Sequence, residues 1–75
     1  MQIYLNRGGK SEIEGFELGP DFITVYFTDG TGYRYTDQSA GAFNIQQMKQ
    51  LAQEGRGLYA FIMFNARRSF ASRIR

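Results

Sequence analysis

The sequence predicts an α+β domain: a small antiparallel sheet of three or four strands, followed by two helices packed on one of its faces. Three observations carry this. Residues 22–28, Phe-Ile-Thr-Val-Tyr-Phe-Thr, are without exception β-branched or aromatic, the composition of a strand. Asp29-Gly30 then marks a turn, and residues 31–36 alternate as the hairpin partner. From Asn44 onward the apolar period changes from two to 3.6, with Ile45, Met48, Leu51 and Ala52 forming one stripe.

The remaining elements follow from local chemistry. Residues 2–6 alternate as a short edge strand, and Arg7-Gly8-Gly9-Lys10 breaks it as a hairpin turn. Residues 11–18 read as a strand in which Phe16 and Leu18 share one face while Ile13 falls on the other. A bulge at Gly15 returns Ile13 to the Phe16 side, and glycine tolerates such a bulge. Gly19-Pro20-Asp21 is a turn, with proline pre-set for its first corner.

The 22–36 hairpin has two registers. A two-residue loop places Tyr26 opposite Tyr33. A three-residue loop over 28–30 places Val25 opposite Tyr33 and Ile23 opposite Tyr35. The second gathers Ile23, Val25, Phe27, Tyr33 and Tyr35 on one face and puts Gly30 at the left-handed loop position, so it is preferred. Asn44 suits a helix N-cap, with Gln47 completing a capping box and Phe43 and Met48 at the staple positions. Gly55 ends the helix at 54. Residues 37–42 connect the two, with room for one helical turn. Residues 58–64 are apolar on every side, which fits a buried helix or a central strand; a helix to about Arg68 is preferred. Residues 69–75 are expected to fray.

The 75 residues make a single domain, 1–75. With no Cys and no His, neither disulfides nor a Cys/His zinc site can staple it, so packing of its seven Phe and five Tyr must hold it together. The core should contain Ile13, Phe16, Leu18, Ile23, Val25, Phe27, Tyr33, Tyr35, Met48, Leu51, Ala52 and Ile62. The absence of Cys fits a reducing compartment. Residues 1–7 hold no signal-peptide core, and the longest apolar run, 58–64, is far too short to span a bilayer. A soluble cytoplasmic protein is expected, with no membrane partner.

The missing His and Cys also remove the commonest general base and thiol nucleophile. Glu12 and Glu14 share a strand face but read as exposed carboxylates. The Gly-rich segment 7–10 lacks the strand, spacing and helix of a phosphate-binding loop. No enzyme, metal or cofactor is expected. Charge is distributed unevenly instead. Residues 1–37 carry three basic and six acidic side chains, and residues 38–75 carry six basic ones (Lys49, Arg56, Arg67, Arg68, Arg73 and Arg75) against Glu54 alone. Such asymmetry points to an anionic partner for the second half, or to a solvated face with a basic tail.

Tyr33-Arg34-Tyr35 places two rings on one sheet face. Displayed rings can stack bases, whereas buried ones belong to the core; the preferred register puts them in the core. The reverse face then offers Phe22, Tyr26 and Arg34 as a second stacking platform.

The order Ser11, Ile13, Val25-x-Phe27, Gly30 and Tyr33-x-Tyr35 resembles the KTSC domain, which occurs at the C-terminus of some lysyl-tRNA synthetases and as a stand-alone bacterial protein. The resemblance covers about residues 11–66. Ala52 and Gly57-Leu58-Tyr59 are similar to the family's small residue, glycine and aromatic after the first helix. The Asn and Ile-Arg usual beyond that point are not reproduced in residues 60–65. What the resemblance implies about function is RNA binding, through the synthetase association.

These readings converge on a non-enzymatic domain that binds RNA. Its contact residues would be Tyr33, Arg34, Tyr35, Phe22, Tyr26, Arg56, Arg67, Arg68 and Arg73. The rival expectation is a protein-interaction module or homodimer that uses Leu58, Phe61 and Phe64 from the apolar 58–64 run.

Overall fold

The computed structural model describes residues 1–75. Along the chain lie β1 (Gln2–Ile3), β2 (Ile13–Leu18), β3 (Phe22–Phe27), β4 (Gly32–Thr36), α1 (Asp37–Ala40), α2 (Ala42–Glu54), α3 (Leu58–Phe61), a π-helical turn (Ile62–Ala66) and β5 (Ser72–Arg73). The strands form one antiparallel sheet in the order β1-β2-β3-β4-β5, and the helices pack against one face of it. The α+β class is as expected; the sheet has five strands rather than three or four.

The extra strand corrects the expectation that residues 69–75 fray. Ser72 and Arg73 pair with Arg34 and Tyr33, and the amides of Ala71 and Ile74 donate to the carbonyls of Arg34 and Gly32 at 2.7 Å each. Without this return, β4 would present its outer backbone groups unpaired, and a tail of seven residues suffices to satisfy them. Phe70 anchors the turn-back by packing on Tyr33 and Tyr35.

In β2 the register against β3 shifts between Ile13 and Gly15, so Ile13 faces Phe27 and Phe16 faces Val25. This bulge brings both Ile13 and Phe16 into the core. The β3–β4 pairing sets Val25 against Tyr33 and Ile23 against Tyr35, around the three-residue loop, with Gly30 at φ +92°. Ile23, Val25 and Tyr35 are buried, and Phe27 and Tyr33 pack at the margin of the core.

The helical region begins earlier than Asn44. Thr36 and Ser39 form a reciprocal capping box: Ser39 N donates to Thr36 Oγ1 and Thr36 N donates to Ser39 Oγ, each at 3.0 Å. This starts α1, and Gly41 at φ +92° joins α1 to α2. Asn44 therefore lies inside α2, where its side-chain amide donates to the Ala40 carbonyl at 3.0 Å, and Phe43 is exposed rather than stapled. At the other end Gly55 adopts the left-handed conformation and its amide reaches back to Leu51 and Ala52, as its sequence position predicts. Ile45, Met48 and Ala52 are buried and Leu51 is half-buried.

The 58–64 run is helical, with the turn widened to π geometry from Ile62 and ending at Ala66. Asn65 donates its side-chain amide to the Phe61 carbonyl inside that widened turn. Leu58, Ile62 and Ala66 face the core. Tyr4 joins them from beside β1, and its hydroxyl accepts from the Leu58 amide at 3.3 Å.

An aromatic cleft beside the third helix

The core face of the sheet is wider than the helices that cover it. At the β3–β4 hairpin end the uncovered part forms a cleft of about 440 Å³, within the range of ligand pockets. Phe27, Tyr33 and Tyr35 come from the sheet, Tyr59 and Met63 from α3 and the π turn, and Phe70 from the segment leading into β5. The rings form a connected set. Phe27 meets Tyr33 and Tyr59 edge-on at 6.1 and 6.4 Å, and Tyr33 lies 4.7 Å from Phe70 at a tilt of 52°. Such offset and edge-on contacts hold the rings in place, and Phe27, Tyr33 and Tyr59 are half-buried and Phe70 exposed, so the set is partly open to solvent.

Charge is arranged around these rings. Arg67 lines the cleft, and the Arg73 guanidinium lies 5.9 Å from the centre of the Tyr33 ring. Glu12 and Asp29 line the hairpin end. Asp29 accepts from both the hydroxyl and the amide of Thr31, at 2.7 and 2.9 Å, and these bonds hold its carboxyl below the ordinary range, so it is charged at neutral pH. Glu12 accepts from the Thr28 hydroxyl at 3.0 Å.

Tyr35 lies deeper. Burial, with a contribution from neighbouring Tyr33, pushes its phenol up to about 12. An unfolded chain ionises this group near pH 10. Between pH 10 and 12 the unfolded state therefore loses a proton that the folded state keeps, and stability falls as pH rises. The contribution is fully present below pH 10 and is lost toward pH 12, with a slope of at most about 1.4 kcal/mol per pH unit. Urea midpoints measured across this window should decline for the wild type and decline less for Tyr35→Phe. Equal slopes would show that Tyr35 titrates normally.

The reverse face is not an open platform. Arg34 lies 4.3 Å over the Phe22 ring and donates from Nε to Oγ1 of the fully buried Thr24 at 2.9 Å. Arg75 lies 4.7 Å over the Tyr26 ring, and Tyr26 donates its hydroxyl to Glu17. That bond, with burial behind it, raises the Tyr26 phenol above its ordinary range. Tyr26 lies across Gly32, where a Cβ would come within 2.8 Å of its ring. Phe22 and Tyr26 are thus already stacked by guanidinium groups from their own chain.

The expected contact residues consequently separate. Tyr33, Tyr35 and Arg67 line the cleft, and Arg73 does not line it but lies beside the Tyr33 ring. Phe22, Tyr26 and Arg34 lie on the opposite face, Arg56 lines a different pocket, and Arg68 is exposed and lines neither. Phe27, Thr31, Tyr59, Met63, Phe70, Glu12 and Asp29 complete the cleft, although sequence reasoning did not select them as contact residues. The spacing of Tyr59 and Met63, four apart on one helical face, was the available signal.

The expected partner patch changes as well. Leu58 is fully buried and Phe61 half-buried, so of the three only Phe64, at 87% exposure, is free. A helix that packs on the sheet must turn one side inward, and Leu58 lies on that side with Ile62. No helix is long and apolar enough to cross a membrane. No family model, curated protein or solved structure matches the chain.

Proposed function

We propose that this chain is a non-enzymatic, KTSC-like domain that binds single-stranded RNA, with a base held in the aromatic cleft and its phosphate at Arg67. The observation that carries the reading is the joining of Tyr33, Tyr59 and Phe70 with Arg67 in one open cleft. Aromatic faces accept any base, and stacking contributes about 1–3 kcal/mol per base. Arginine matches phosphate oxygens with a planar fork of donors. Glu12 and Asp29 do not oppose this arrangement if a base edge, rather than the backbone, approaches the hairpin end. Carboxylates accept from base amino and imino groups. The interaction-module alternative has less support, because one exposed ring at Phe64 is an ordinary surface feature.

The test is a titration of short RNA oligonucleotides at two ionic strengths, read by amide shifts. Tyr33→Ala should weaken binding about five- to one-hundred-fold, as loss of one stacked base predicts. Phe22→Ala, on the opposite face, should leave affinity unchanged. Affinity should also fall with salt, because phosphate contacts release counterions. Absence of saturable shifts at low salt, or equal losses from the two variants, would overturn the reading.

A further inference from the structure

The Gly-rich segment 7–10 has no role in the cleft, yet it is built into the fold with unusual care. Asn6, at φ +52°, is the sole non-glycine residue with a positive φ. Its side chain closes the loop by accepting from the Ser11 amide at 3.1 Å and donating to the Ser11 carbonyl at 3.3 Å. Arg7 fixes the other side: its amide donates to the Gly55 carbonyl at 2.7 Å and its Nε donates to the Glu54 carbonyl at 2.8 Å. These bonds satisfy carbonyls at the C-terminal end of α2 and hold the loop against the α2–α3 connection.

The result is a second pocket, of about 200 Å³, between the loop and that connection. Lys10 and Arg56, far apart in sequence, line it together. No carboxylate is among its nine lining residues. Tyr4, Tyr59 and Ala60 supply an apolar surface, and a side chain at Gly8 would meet no atom within 4 Å, so the loop side is open. Two cations in a pocket that no carboxylate lines, beside an apolar wall, suit an anionic head carried on a carbon frame.

We propose that this pocket is a phosphate-ester subsite, with the phosphate between Lys10 and Arg56 and its sugar against Tyr59 and Ala60. Tyr59 lines both this pocket and the aromatic cleft. A strand with one base in the cleft therefore passes its adjoining phosphate around Tyr59 to Lys10 and Arg56. That continuity rests on the RNA reading; the subsite itself does not. The same chemistry is offered by a free sugar phosphate.

Amide shifts separate these sources. At constant ionic strength, ribose 5-phosphate should shift residues 8–11 and 56–60 saturably, and more strongly than inorganic phosphate. The double variant Lys10→Gln/Arg56→Gln changes two exposed side chains and should keep the folded spectrum while binding about tenfold or more weakly. An RNA trinucleotide that shifts both pockets supports the continuous track. A trinucleotide that shifts neither pocket, with ribose 5-phosphate still bound, removes the RNA reading and leaves the subsite as one for a free phosphate ester. No saturable shift with ribose 5-phosphate, or a shift that survives the double variant, overturns the subsite even if RNA occupies the cleft.

Discussion

Phe16→Ala should lower the unfolding free energy by about 3–5 kcal/mol, the cost of deleting a buried phenyl ring from a core that cannot fully collapse around the gap. A domain of 75 residues has roughly 4–11 kcal/mol in total, so the variant should lose a quarter or more of its stability. Phe16 is 2% exposed and pairs across the sheet with Val25, itself fully buried. The bulge in β2 makes its site rigid. Gly15 has no room for a side chain, since a Cβ there would come within 2.7 Å of the Gln2 carbonyl oxygen. β2 is paired with β1 on one side and β3 on the other, which limits how far it can shift to fill the space. Leu18, on the same strand but half-buried, should cost less when truncated. Urea midpoints of the two variants provide the comparison. A Phe16→Ala loss below that of Leu18→Ala would contradict the register that buries Phe16 opposite Val25.

That register was legible because Ile13, Phe16 and Leu18 cannot share a face unless one residue is inserted, and a glycine stood where the insertion was needed. The β3–β4 hairpin was legible for a similar reason: one of its two registers buries a coherent apolar set and the other does not. Gly55 announced the end of α2 by its position after the apolar stripe. The start of that helix was less readable. Asn44 and Gln47 have the right spacing for a capping box, but the box that forms is that of Thr36 and Ser39, which starts α1, and α2 follows directly from Gly41 at Ala42 with no side-chain cap.

The cleft was only half legible. Tyr33 and Tyr35 could be placed from strand alternation, and Arg67 could be noticed as part of a basic cluster. Their meeting with Tyr59 and Phe70 depends on how α3 and the returning tail dock, which are long-range events without a local signature. β5 is the clearest case. Its two paired residues, Ser72 and Arg73, carry no apolar alternation, and they are ordered by the open edge of β4 rather than by their own propensity. Tyr4 shows the opposite trap. Its neighbours Ile3 and Leu5 form the apolar alternation of the first segment, yet both are exposed, and the tyrosine between them enters the core.

The apolar run that begins α3 gives the sharpest positional contrast. Leu58→Ala should cost about 2–5 kcal/mol, whereas Phe64→Ala should stay within about 0.5 kcal/mol although it removes the larger side chain. Leu58, the first residue of α3, is fully buried, and its amide donates to the Tyr4 hydroxyl, so it joins the helix to the β1 side of the core. Phe64 is 87% exposed and its truncation leaves no cavity. Because Tyr59 lies beside Leu58 on a short helix, loosening that anchor should also disturb the wall shared by the two pockets. Leu58→Ala is therefore expected to weaken both oligonucleotide and sugar-phosphate binding under conditions where the variant is still folded, while Phe64→Ala leaves both intact. Thermal or urea unfolding checks the first contrast, and the amide-shift titrations check the second. If Phe64→Ala were the more destabilising of the pair, α3 would have to dock with its other side inward, and Tyr59 and Met63 could not face the cleft.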